Sequence, residues 1–211
     1  MIFSDPNKDR LVCLVNYSLI CVVKHSEIRD HIIHTASDLF YKNGYNLTGI
    51  NQIIAEAGIA KATLYNHFSG KEDICVAYLQ TKNATFLRDL AAFVKGKSEG
   101  KARIQAVVEF LFPFFHDEDF HGCWCIRTVA EVPIQNEKIW AEIQLQKNKL
   151  LTFIKQLVKE NLPGKSEEEV EKLAQFVYMI YEGAVSESYL HQNIWPIENG
   201  MEMLGVLLAK E

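Results

Sequence analysis

The chain has no phosphate-binding glycine loop, no dinucleotide-binding glycine run, no HExxH pair and no serine nucleophile elbow. These absences remove the usual sequence signatures of nucleotide binding, zinc hydrolysis and serine-esterase chemistry. It also lacks a run of the ~20 apolar residues that a membrane-spanning helix needs. The stretch 11–23 is too short for that and is interrupted by Asn16 and Ser18. Residues 1–24 are therefore expected to be an extra N-terminal helix or the product of an early start codon, with a signal-peptide core as the lesser alternative. A disulfide framework is missing as well. The five cysteines, Cys13, Cys21, Cys75, Cys123 and Cys125, are odd in number and irregularly spaced, which fits a reducing cytoplasm. Positive charge is not in excess: the formal net charge is −5.

What is present is an ordinary globular composition, 48% apolar and 23% charged, without strand-like alternation or internal repeats. The charge is unevenly spread. Residues 24–72 balance five Lys and Arg against five acids, whereas residues 73–211 carry fifteen against twenty. A neutral head on an acidic body suits a chain whose N-terminal part touches a polyanion and whose body does not.

Ile28, Ile32, Ala36, Leu39 and Phe40 fall at helical spacing, and Gly44 follows as a residue able to end that helix with positive φ. Thr48 is expected to N-cap a second helix running to about Ala57, with Ile50, Ile53 and Ile54 as its buried side. Gly58 is a turn, and residues 60–65 form a third helix. Ser69 and Glu72 match a capping box at the start of a long fourth helix. Further on, a loop is expected over 95–100, a helix over 101–112 that Pro113 ends or kinks, and a long helix from 134 to about 161. Ser166 and Glu169 then match a second capping box, opening a helix over 167–191, and Trp195-Pro196 starts the last helix.

The architecture predicted is all-α: an N-terminal extension (1–24), a three-helix helix-turn-helix head (25–72), and a larger C-terminal helical domain (73–211), to which the resemblance described below assigns effector binding and dimerisation. Two short helices joined at a glycine turn set an exposed helix into the DNA major groove. That helix must be the third. Lys61 and Thr63, with Ala62 between them, offer a cation, a hydroxyl and methyl groups for phosphates and base edges, while Tyr65, His67 and Lys71 suit backbone phosphates. Phe68 is expected in the head core instead, and the Tyr65 ring is expected to pack while its hydroxyl reaches phosphate.

The run IIHTASDLFYKNGYNLTGINQIIAEAGIAKATLYNHFSGKEDI resembles the N-terminal domain of tetracycline-repressor-type (TetR/AcrR-like) regulators. The resemblance rests on Ala36, Leu39-Phe40, Gly44-Tyr45, Thr48, Ile53, Ala57-Gly58, Lys61, Thr63-Leu64-Tyr65, His67-Phe68 and Lys71-Glu72 in fixed register. Ala60 stands where the family usually has a capping Ser. The resemblance implies a homodimer on a palindromic double-stranded operator, with Thr48, Lys61, Thr63, Tyr65, His67 and Lys71 at contact positions. It also implies a small, largely apolar or aromatic effector held in the second domain, whose binding relieves repression.

The aromatics of that domain make Phe86, Phe110, Phe114, Trp124, Trp140 and Tyr178 candidate pocket residues, with Arg127 as a polar anchor that otherwise pairs with Glu131. Leu173, Phe176, Val177, Ile180, Ala184, Met201, Leu204 and Leu208 are the candidate dimer interface, with Gly183, Ala184 and Gly205 allowing close helix approach. If residues 123–125 are helical, Cys123 and Cys125 project ~200° apart and cannot clamp one ion. No catalytic residue, cofactor or metal is expected. The competing reading is a small-ligand-binding or thiol-redox-sensing helical protein with a weak DNA head.

Overall fold

The computed structural model describes residues 26–117 and 120–209, and these residues form ten helices and no strand. The readings placed on residues 1–24, including Cys13 and Cys21, lie outside the described residues. Helix α1 spans residues 26–43, α2 Ile50–Glu56, α3 Lys61–His67, α4 Lys71–Lys95, α5 Lys101–Glu109, α6 Leu111–Phe115, α7 Trp124–Glu131, α8 Glu137–Asn161, α9 Glu167–His191 and α10 Trp195–Ala209.

Two buried clusters organise them. The first joins Ile32, Ala36 and Phe40 of α1, Ile53 of α2, Leu64 of α3 and the first third of α4. Cys125 of α7, Val132 and the α8 residues Ile139 and Ile143 also belong to it. The head is thus built on α7 and the start of α8 as well as on its own three helices, and its core runs past residue 72 to Leu79. The second cluster packs the far ends of α4 and α8 against α5, α9 and α10. Among the described residues no helix is long and apolar enough to cross a membrane.

Several local expectations shift, each for a visible reason. Thr48 does not cap α2: its N-cap is Gly49, with no side-chain bond. Thr48 is instead fully buried, its hydroxyl donating to the Gly44 and Leu39 carbonyls at 2.8 and 3.2 Å, where it closes the end of α1. The Ser69/Glu72 box does not form either. Gly70 is the N-cap of α4, and the Ser69 amide donates to the Asp73 carboxylate at 3.1 Å.

The helix break near Pro113 falls at Phe110, between α5 and α6. A proline has no N–H for the carbonyl four residues earlier, and for Pro113 that carbonyl belongs to Glu109, the last residue of α5. Helix α8 starts three residues later than expected, because the Asn136 side chain accepts from the Ile139 amide and caps it there. The Ser166/Glu169 capping box forms in full at the start of α9. Helices α9 and α10 approach closely at Gly200, where a Cβ would lie 3.4 Å from Ala184 and Ile180, while Gly183 and Gly205 face open space and a single glutamine respectively.

Candidate nucleic-acid interface and effector cavity

Helix α3 is held by one fully buried residue, Leu64. Lys61, Ala62, Tyr65 and Asn66 are exposed, and Thr63 and His67 are half-buried. Tyr65 is 45% exposed with the Lys61 ammonium 5.9 Å from its ring centre, so the ring lies outside the head core contrary to expectation. Phe68 is buried, with the Arg29 guanidinium over its ring at 5.0 Å. Ala60 supplies no side-chain cap. The recognition surface is therefore short, uncapped and free of acids from 60 to 68.

Two of the expected DNA contacts are used inside the head. Besides Thr48, Lys71 donates to the Tyr45 and Thr48 carbonyls at 2.9 and 3.2 Å and sits 4.1 Å over the Tyr45 ring. Partial burial pulls its ammonium below the usual lysine range. Lys71 is a strut that ties α4 to the turn after α1.

The body holds a cavity of about 320 Å³ between α4, α6, α7, α8 and α9, closed on one side by Asp38, Tyr41 and Lys42 of α1. Phe86, Phe114 and Trp124 line it. The other four candidates do not. Phe110 packs behind the wall against Phe86, Phe93 and Phe114. Trp140 is in the head cluster, its indole donating to the Val132 and Pro133 carbonyls. Tyr178 packs on the body core, one helical turn from the α9 wall residues Tyr181 and Glu182.

Arg127 neither lines the cavity nor pairs with Glu131; it donates to the Tyr41 and His121 carbonyls at 2.7 and 3.3 Å. Glu131 accepts from the Asn46 amide at 2.6 Å and lies where a Cβ on Gly44 would collide with it at 2.2 Å. Both α7 side chains thus hold the C-terminal end of α1, and the Tyr41 hydroxyl returns the contact by donating to the Gly122 carbonyl at 3.2 Å.

Sequence reasoning missed the polar half of the cavity. Lys147 donates to both Glu182 carboxylate oxygens at 2.7 Å and to the Cys123 sulfur at 3.2 Å. Trp124 and Cys125 donate to the Gln146 carbonyl oxygen at 3.3 and 3.4 Å, Gln146 donates to Glu142 at 2.7 Å, and Gln80 of α4 donates to the other Glu142 oxygen at 3.0 Å. A signal for this existed. The buried stripe of α8 runs Ile139, Glu142, Ile143, Gln146, Leu150, Ile154, and its polar members stand at core spacing. Buried polar groups at such positions need partners, and here they find one another.

The cysteines also differ from expectation. Cys123 has extended backbone, φ −73° and ψ 115°, as the N-cap of α7, so it does not follow helical geometry.

A family description, bacterial regulatory proteins of the tetR family, matches residues 32–78. The chain is 26% identical over 196 residues to the uncharacterized HTH-type transcriptional regulator YxaF of Bacillus subtilis, covering 90% of this chain and 100% of that protein. It is 25% identical to the HTH-type transcriptional regulator LmrA of the same organism, covering 83% and 93% of the two chains. The crystal structure of SCO4454, a TetR-family transcriptional regulator from Streptomyces coelicolor, superposes with a TM-score of 0.78 at 24% identity, covering 87% and 89%.

Proposed function

We propose that this chain is a TetR-type transcriptional regulator that represses as a homodimer on a palindromic operator and is released when a small molecule fills the α4–α9 cavity. The observation that carries this reading is the shared helix α7. It begins at Trp124 and Cys125, in the cavity wall, and ends on the brace that Arg127 and Glu131 make to α1. A ligand that displaces the start of α7 moves the end of α1, and with it the turn that Thr48 and Lys71 fasten to α4. Release then requires only that the ligand bind the displaced arrangement more tightly than the DNA-competent one.

On the DNA side, Lys61, Ala62, Thr63, Tyr65 and His67 form the contact face, with Lys61 and Tyr65 supplying phosphate and base-edge donors. Thr48 and Lys71 act behind this face by fixing α3 and α4 on α1. For the dimer, Leu173, Val177, Ala184, Leu204 and Leu208 are buried within the chain, so they cannot face a second copy, and Ile180 and Met201 are mostly covered. Of the sequence candidates Phe176 stays exposed at 41%, in one apolar face with Met179 at 67%, Leu190 at 72%, Met203 at 60% and Val206 at 56%. A second copy covers that face. A face of this kind left in water marks an interaction site, and two heads need a fixed spacing to read two half-sites.

Selection of tight binders from a randomised duplex pool, repeated at two salt concentrations, tests the reading. Recovery of a palindromic site with steep salt dependence is the expected result. Weak binding indifferent to sequence at both salts would overturn it. Charging the proposed interface with Met179→Glu and Met203→Glu should convert the dimer to monomer in sedimentation while the helical content is kept.

A further inference from the structure

The structure holds three described cysteines, and two of them behave as buried cysteines ordinarily do. Cys75 is fully buried in the head cluster, and burial pushes its thiol up to about 12. Cys125 is 2% exposed, and the neighbouring Cys123 sulfur together with burial raises its thiol. Cys123 shares the cavity wall with Cys125 but differs from both other thiols in being partly exposed there and in having its sulfur 3.2 Å from the Lys147 ammonium.

We propose that Cys123 is a nucleophile that captures small electrophilic carbonyl compounds, of the α,β-unsaturated ketone or aldehyde class, inside the cavity. The inference rests on the cavity being the effector site and names the chemistry of one class of effector. Three features of the site converge on this class. The space of about 320 Å³ admits an organic molecule of modest size, and Phe86, Phe114 and Trp124 give its carbon skeleton an apolar wall. The Cys125 thiol beside it and the Lys147 ammonium 3.2 Å away hold the Cys123 thiol well below the usual thiol range against the opposing effect of burial. The same ammonium stands where charge must be neutralised once the thiolate has reacted.

The step balances with these groups alone. The Cys123 thiolate forms a C–S bond to the β-carbon, and the electrons of the C=C bond move toward the carbonyl to give an enolate. The enolate carbon takes a proton from the Lys147 ammonium, leaving a neutral thioether adduct and a neutral amine that regains its proton from water. Glu182, 2.7 Å from Lys147, holds the ammonium in place and favours its charged form. The adduct forms at the N-cap of α7, the helix whose other end braces α1. Capture therefore acts on the same element that joins cavity to head.

The test is alkylation of the full chain by cyclohexenone at neutral pH, followed by intact-mass measurement and peptide mapping. The expected result is a single adduct at Cys123, absent in Cys123→Ser, with the folded chain reacting at Cys123 about tenfold faster than the urea-unfolded chain, because only a small fraction of an unperturbed thiol is ionised there. The comparison of folded with unfolded wild-type chain stands even if the serine variant is poorly folded. Adducts confined to other cysteines, or a Cys123 rate in the folded chain at or below the unfolded rate, would overturn the proposal. Alkylation needs no DNA, so its failure is separate from a failure of the operator selection.

Discussion

The head and the body bury their cores by opposite means. The head cluster is dry and apolar, sealed at its edges by backbone-directed contacts from Thr48, Lys71 and Arg127. The body cluster leaves a space beside Phe86 and Tyr181 and lines it with Lys147, Glu182, Gln146 and Cys123. In the function proposed above, one region presents a constant shape to a partner of constant geometry, and close packing supplies it. The other accepts and reports a molecule, which requires room and polar groups whose pairing can be disturbed. The difference locates sequence tolerance: the head should resist changes of volume, the body changes of charge.

The largest effect should come from breaking the charge pairing. Lys147→Met leaves the Glu182 carboxylate facing an apolar space, and the lost pairing should destabilise the chain by roughly 3 kcal/mol. Urea unfolding measures it, and Lys147→Met/Glu182→Leu should restore most of the loss. If the single and double variants unfold alike, the pair carries no such weight. Next in size is the head–body joint. Gly44 has φ +87°, and its Cβ position lies 2.2 Å from a Glu131 oxygen. Gly44→Val should therefore cost about 2 kcal/mol or more through backbone strain and collision. The matching loss of operator binding should exceed any change in ligand binding. On the DNA surface, Lys61→Ala should weaken operator binding by roughly 1 kcal/mol and reduce the salt slope by about one, with thermal unfolding unchanged.

Titration sharpens the contrast further, because the two regions should respond to pH with opposite sign. Cys75 in the head has a folded pKa raised by burial from 9.0 to about 12. Its contribution is whole below pH 9 and is lost as the pH rises from 9 toward 12, where only the unfolded chain ionises. Cys123 in the body has a folded pKa lowered from 9.0 by the Cys125 thiol and Lys147. Its contribution is present above pH 9 and fades as the pH falls from there. Stability should thus climb from neutral pH toward 9 in wild type but not in Cys123→Ser, and Cys75→Ala should flatten the decline above 9. The smallest effect belongs to a feature common to any helix: Ser166→Ala removes the α9 capping box and should cost about 1 kcal/mol.

Much of this molecule was readable in advance, for reasons that can be traced to particular residues. The Gly44 and Gly58 turns have positive φ, at 87° and 62°, as the glycines required. The Ser166/Glu169 box and the bounds of α9 follow from contacts only three residues apart in the chain. Ile32, Ala36 and Phe40 are buried where the helical stripe placed them. The misreadings concern side chains with two available partners. Thr48 had a free amide ahead of it and carbonyls behind it, and it took the carbonyls. Arg127 had Glu131 one turn away and instead found Tyr41, 86 residues distant.

The sequence by itself determined the all-helical architecture, the DNA-binding head and its exposed third helix, because apolar period, turn glycines and caps act over a few residues. Only the tertiary structure decided which aromatics face the cavity, that Lys147 stands between Cys123 and Glu182, and that α7 joins the cavity to α1. Those facts depend on chain segments separated by 24 to 86 residues meeting at fixed angles, and no local spacing rule encodes such a meeting.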